Sequence, residues 1–262
     1  MAFTGSGGGS RPPSRRFQAD QRTIIIVVVA LALIAILLRT HKLSRFEIIY
    51  FLVLVPSIIL HELSHGVVAL AFGDDTAKRA GRLTLNPLKH VDPVGTLLVP
   101  AVLSLSGLGA YGWAKPVPVS TNRLRSPRNH TVVVSLVGPL TNFALAALFG
   151  VVLVLTTPSL VLQEVHFYWS QGAQAYPPAL LGQILFIAGF ANIVLGVFNL
   201  IPCPPLDGAS VLERFLPSRW LPEYYRLQPL LMFLPFILIL VFHNAFSQLI
   251  IHAVAWWSGF LV

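Results

Sequence analysis

Cysteine occurs once in these 262 residues, at Cys203, which excludes an internal disulfide and any zinc site built on several thiolates. Charge is scarce as well. Asp, Glu, Lys and Arg make up 11% of the chain, too few to cover a water-facing surface, whereas hydrophobic residues make up 55%. With a mean hydropathy of +0.74, this is the composition of a membrane protein. Acids are the rarer sign, 10 against 18 Lys and Arg, for a formal charge of +8. The positive charges lie at the ends of hydrophobic segments and not in one basic stripe with interleaved aromatics. Nucleic-acid binding therefore has no footprint, and anionic lipid head groups are the natural counter-charge. No internal repeat of solenoid length is visible.

What the chain has in quantity is apolar runs: 23–38, 46–72, 94–110, 131–156, 179–201 and 229–257. A bilayer-crossing helix needs about 20 apolar residues, so the length accommodates five or six spans and little else. Residues 5–16 are rich in Gly, Ser, Pro and Arg and cannot bury enough surface to order themselves, so a disordered tail is expected over 1–22. The run 24–38 has the layout of a signal peptide, but Arg39, Thr40, His41 and Lys42 follow it in place of a small-residue cleavage site. It reads as a retained first span.

Lys and Arg in short connections set orientation. Residues 157–178 contain none, whereas 110–130 carry Lys115, Arg123, Arg125 and Arg128, and 202–228 carry Arg214, Arg219 and Arg226. The two basic stretches are expected on the cytoplasmic side. Segment 94–110 then has positive charge at both ends and is short for a crossing, so it reads as re-entrant or interfacial. Arg39, Lys42 and Arg45 fall outside on this reading, against the charge rule. The last run carries Pro235 and the pair His243-Asn244, where it can break into two short helices.

Inside the second run stands His61-Glu62-Leu63-Ser64-His65. Positions four apart share a helix face, so both imidazoles can point at one metal, with Glu62 one residue round. Zinc takes imidazole and carboxylate ligands tetrahedrally, and a catalytic site leaves one position for water. Glu62 is placed to take a proton from that water and return it to a leaving amine. A lone His on an apolar face is usually a packing residue. Three ionisable side chains in hydrocarbon are expensive, however, and mark a functional site. The best third ligand is Asp207, after Asn199-Leu-Ile-Pro-Cys-Pro-Pro-Leu, where Pro202, Pro204 and Pro205 cannot continue a helix. Unwound backbone at membrane depth is tolerated mainly where it lines a polar cavity. Depth agrees: His65 is about 14 Å of helix from the Asp74-Asp75 pair, and both elements end on the basic side.

With these motifs in order, the chain resembles the site-2 protease family, intramembrane zinc metalloproteases, in its compact bacterial form without a PDZ or CBS domain. HELSH at 61–65 resembles the family's zinc helix, NLIPCPPLDG at 199–208 its second signature, and Gly138-Pro-Leu-Thr-Asn142 its GxxxN pattern. The stretches from Asn86 and from Gly112 are similar to family segments too. The resemblance implies one zinc ion held by His61, His65 and Asp207, catalysis by Glu62, and substrate or oxyanion contacts from Asn142 and Asn199. The residues alone leave both amides open to a plainer role, an interhelical hydrogen bond for Asn142 and a helix-end contact for Asn199. GWAKPVPVS at 112–120 alternates like an edge strand able to pair with an unwound substrate, or else is an interfacial loop. The implied substrates are single-span membrane proteins, such as an anti-sigma factor or a membrane-tethered regulator, and the implied location is a bacterial plasma membrane with the site toward the cytoplasmic leaflet.

Two other classes compete. A zinc transporter can carry HExxH on a membrane helix, but such motifs usually continue with another acid, where this chain has Gly66. A catalytically inactive adaptor has no need of Glu62. His41, His90, His130, His166, His243 and His252 lack partner spacing and read as interfacial or packing residues. The expected architecture is an all-α membrane protein of five to six transmembrane helices, with a re-entrant or interfacial segment and a short β element on the cytoplasmic side. It forms one polytopic domain over 23–262, with a catalytic core at about 46–210.

Overall fold

The computed structural model describes residues 45–92, 115–231 and 234–262, with isolated positions at 28, 32, 95 and 98. The expected tail, the first span and almost all of the 94–110 segment lie outside the described residues. The described chain is helical. In order come α1 (Arg45–Ala71), α2 (Thr76–Arg79), α3 (Pro127–Thr156), α4 (Ser159–Ser170), α5 (Leu180–Asn199), α6 (Gly208–Phe215), α7 (Leu221–Leu231), α8 (Leu234–Val241) and α9 (His243–Gly259).

Three of these, α1, α3 and α5, are long and apolar enough to cross a membrane. A helix satisfies most of its backbone hydrogen bonds internally, which hydrocarbon demands, although Pro56 in α1 and Pro139 in α3 each remove one donor. At about 1.5 Å per residue, the 20 residues of α5 match the thickness of a bilayer core. The start of α3 is set by Pro127, whose missing N–H costs nothing in a first helical turn. The end of α5 is set by the prolines that follow it.

The three long helices pack on one another, and α9 closes against α4 and α5. Lipid tails are as apolar as leucine, so close approach and polar contacts must hold such helices together. Gly189 supplies close approach: a Cβ there would lie 2.2 Å from the ring of Trp257, so the indole of α9 rests on bare α5 backbone. Trp257 Nε1 donates to the Ala146 carbonyl of α3 at 3.3 Å, joining three helices at one side chain. Around it Leu153, Leu162, Val165, Trp169, Leu185, Phe186 and Val254 form the apolar core. Leu52, Leu148, Leu155 and Leu181 are exposed, as lipid-facing positions of a spanning helix must be.

One connection differs from the sequence reading. Residues 157–178, read as a connection, contain α4, whose Leu162, Val165 and Trp169 recur at helical spacing and are buried. The run 229–257, read as able to break at His243-Asn244, is divided beside that pair, with α8 ending at Val241 and α9 beginning at His243. Among the described residues no strand is formed. Residues 115–120, the described part of the expected edge, run without a ladder partner.

Candidate metal centre

The HELSH sequence lies in the C-terminal half of α1, and its helical phase turns His61 and His65 to one face, both buried. Asp207 reaches them from the segment after α5. That segment folds back tightly: a Cβ on Gly208 would lie 2.3 Å from the Leu200 carbonyl oxygen, so only glycine admits the turn that delivers Asp207. Asp207 Oδ2 is 3.1 Å from His61 Nε2, and Oδ1 is 3.4 Å from His65 Nε2. All three ligand atoms lie within 4.8 Å of one another.

The hydrogen bonds around the two imidazoles turn their remaining nitrogens toward Asp207. His65 Nδ1 is 2.6 Å from the Val134 carbonyl, which can only accept, so Nδ1 carries the hydrogen. His61 Nδ1 is 2.6 Å from Asn142 Oδ1 and donates to it likewise. In the neutral imidazoles both Nε2 atoms then present lone pairs, 3.1 Å apart, toward a carboxylate. Asp207 Oδ2 is buried, and its near neighbour is His61 Nε2. Two imidazole nitrogens and a carboxylate at this spacing can share one cation, and a metal ion is one that all three can ligate at once. Two imidazoles and a carboxylate suit zinc.

Access to that face comes from α3. A Cβ on Gly138 would lie 2.5 Å from His65 Cε1 and Nε2 and 2.6 Å from His61 Cε1, so the two imidazoles occupy the space a side chain would need. One turn on, Asn142 is fully buried with both ends of its amide engaged, Oδ1 by His61 and Nδ2 by Asn192 Oδ1 at 2.9 Å. Glu62 Oε2 accepts the Val117 N–H at 2.7 Å. Asn199 is not drawn in: its Nδ2 donates to the Leu195 carbonyl of its own helix at 3.0 Å.

Residues 115–120 are pinned along α1. The Lys115 N–H donates to the His90 carbonyl at 2.8 Å, and Arg82 donates to the Lys115 and Pro116 carbonyls at 2.6 and 3.1 Å. Val117 is buried beside Gly66, the residue after the second histidine. At the far end Asp74 accepts the Ser120 N–H, the Thr76 N–H and the Thr76 hydroxyl. Burial pushes the Asp74 carboxyl up. The hydrogen bonds from Thr76 and Ser120, with the charge of Arg123, outweigh it and hold the group below its ordinary value.

Sequence reasoning missed Asn192 and Ser57, which continue the polar chain behind Asn142. Their signal was present: an amide in the middle of a run as apolar as α5 is costly in lipid unless it has a partner. Of the other histidines, His130 stacks on Phe72 with ring centroids 4.0 Å apart and His166 Nδ1 lies 3.0 Å from Ser258 Oγ.

Residues 49–242 match the profile of Peptidase family M50. Among curated proteins, Putative zinc metalloprotease YwhC of Bacillus subtilis is 42% identical over 63% of this chain and 67% of its own length. Putative zinc metalloprotease Rip2 of Mycolicibacterium smegmatis is 33% identical over 61% of this chain, and the match spans only 54% of Rip2. Putative zinc metalloprotease MJ0611 of Methanocaldococcus jannaschii is 28% identical over 75% of this chain and 86% of its own length. No solved structure matches the chain.

Proposed function

The chain belongs to Peptidase family M50, the membrane zinc metalloproteases to which its motifs point, and from that premise we propose that it hydrolyses peptide bonds of membrane-spanning substrate helices at the His61, His65 and Asp207 centre. The observation that carries this reading is the meeting of three potential ligand atoms from two distant elements, beside Glu62. A purely structural metal site has no use for that glutamate.

His61, His65 and Asp207 would hold the zinc ion, which would supply Lewis acidity at the scissile carbonyl and the attacking water. Glu62 takes the proton as the water oxygen bonds to the carbonyl carbon. It then passes that proton to the amide nitrogen as the C–N bond breaks, leaving a carboxyl and an amine terminus. Asn142 is spent on holding His61, which supports a positioning role and not substrate contact. Asn199 keeps the role its place in the signature implies, at the mouth of the Asp207 loop, where release of its amide from Leu195 frees a donor.

The stretch 112–120 is the substrate's docking edge on this reading. A helix cannot present its peptide bonds for attack while they are hydrogen-bonded to its own turns, and strand addition along 115–120 exposes them next to Glu62. Substrates are single-span membrane proteins, of which anti-sigma factors and membrane-tethered regulators are instances. The proposed domain covers 23–262, with five to six transmembrane helices and 94–110 as a re-entrant or interfacial segment. It lies in the plasma membrane of a bacterium, with Arg123, Arg125, Arg128, Arg214, Arg219 and Arg226 on the cytoplasmic side.

The test is Glu62→Gln in the full chain, reconstituted with a membrane-embedded reporter substrate. Cleavage is expected to fall at least about a hundredfold with bound zinc retained. Undiminished cleavage rejects the role of Glu62, and zinc uptake into proteoliposomes that disappears in His61→Ala favours a transporter.

A further inference from the structure

The hydrogen bonds behind His61 form a line whose direction is fixed at its far end. Ala188 O, a backbone carbonyl of α5, can only accept, and the Asn192 atom 2.9 Å from it is therefore the amide nitrogen. The same NH2 donates to Ser57 Oγ on α1 at 2.9 Å, and the Ser57 hydroxyl hydrogen is itself spent on the Val53 carbonyl at 2.9 Å. Asn192 Oδ1 must then face Asn142 and accept. Asn142 Nδ2 donates to it, which turns Asn142 Oδ1 toward His61. An oxygen there obliges His61 to carry its hydrogen on Nδ1, leaving the Nε2 lone pair for the metal. A reversed Asn142 amide puts NH2 against Nδ1, favours hydrogen on Nε2 and turns a ligand into a donor.

We propose that Asn192, seated by Ser57 and the Ala188 carbonyl, is a positioning residue of the metal centre that selects the metal-binding tautomer of His61 through Asn142. This rests on the zinc reading of the site. It extends that reading to two side chains outside the recognised motifs, contributed by α5 and by α1 a full turn before the first histidine. The two ligands differ in this respect: His65 is set by a backbone carbonyl, whereas His61 depends on three side chains in series. All three are nearly fully buried, Ser57 at 3% and both asparagines at 0%, so water offers no substitute orientation. Metal-bound imidazoles commonly have such outer partners, and losing one costs about 10- to 100-fold in metal affinity.

The test uses the purified full chain in detergent, with zinc affinity measured by chelator competition and thermal unfolding measured on metal-free protein. Asn192→Leu removes the acceptor that orients Asn142, and zinc affinity is expected to fall about 10- to 100-fold. Asn192→Asp lacks the donor but still offers an oxygen to Asn142 Nδ2. It is expected to keep zinc affinity within about threefold of the parent, well inside that range, even where burial of the carboxyl lowers the unfolding temperature. Interhelical packing alone predicts the opposite order: stability lost in both, and zinc affinity tracking stability. Parental zinc affinity in Asn192→Leu, or loss in Asn192→Asp as large as in Asn192→Leu, overturns the proposal. Should Asn192→Leu not fold, a tenfold loss in Asn192→Asp overturns it by itself. Zinc affinity is read without substrate, so a parent that binds zinc but cuts nothing contradicts the protease reading alone, and a parent without zinc affinity contradicts both.

Discussion

A single missing methyl group decides whether the two imidazoles can stand where they do. Gly138 leaves room against both rings, and Gly138→Ala places a Cβ inside van der Waals contact of His61 and His65 together. The rings are held from behind by Asn142 and the Val134 carbonyl and have no free direction of retreat. Zinc affinity in Gly138→Ala, measured by chelator competition, is expected to fall about 10- to 100-fold, as when an orienting contact is lost. Unchanged affinity would mean that α3 yields more easily than its packing implies. At this scale much was legible in advance. His61, Glu62 and His65 declare themselves by spacing, and Asp207 by the prolines that force the chain to unwind. Asn192 shows only as a costly amide in an apolar run, and sequence spacing carries no trace of its contact across three helices.

The elements nearest the site are tied to it by polar side chains at their ends. Asp74, just beyond α1, gathers the N–H of Thr76 and of Ser120 and so joins the end of the HELSH helix to the stretch that carries Val117. Its carboxyl is held below the ordinary value, so the folded state favours the ionised form. That contribution is fully present above the unfolded pKa of about 3.9 and is lost as pH falls through the lower folded value. Asp74→Asn is therefore expected to lower the unfolding temperature near neutral pH and to flatten its decline below about pH 4. Parallel acid profiles for parent and variant would show that Asp74 is not the titrating group. The helix α4 escaped the sequence reading for a physical reason. Its 12 residues are too few to cross a bilayer, and a window matched to membrane thickness averages it with its polar flanks. Its buried Leu162, Val165 and Trp169 follow a helical period that a shorter window detects. The alternation over 112–120 fits an edge strand or an interfacial loop, because alternation registers exposure of side chains and not the presence of a partner ladder.

For the molecule as a whole, composition alone indicates a membrane protein, because scarce charge and long apolar runs leave no other solvent for the surface. The three helices α1, α3 and α5 build the candidate site between them: α1 gives the histidines and Glu62, α3 leaves room for their rings at Gly138 and sets Asn142 against His61, and α5 leads through its unwound end to Asp207. How many further segments cross is not legible from hydropathy, since a short basic-flanked run satisfies a spanning and a re-entrant placement equally well. The arrangement stands on the Asp207 loop bringing a carboxylate to two imidazoles more than a hundred residues upstream. Zinc content of the purified full chain, measured by elemental analysis after dialysis against a chelator, tests this directly. The parent and Glu62→Gln are expected to retain one zinc per chain and Asp207→Ala to retain none. A parent free of zinc, or Asp207→Ala holding zinc as tightly as the parent, would contradict it.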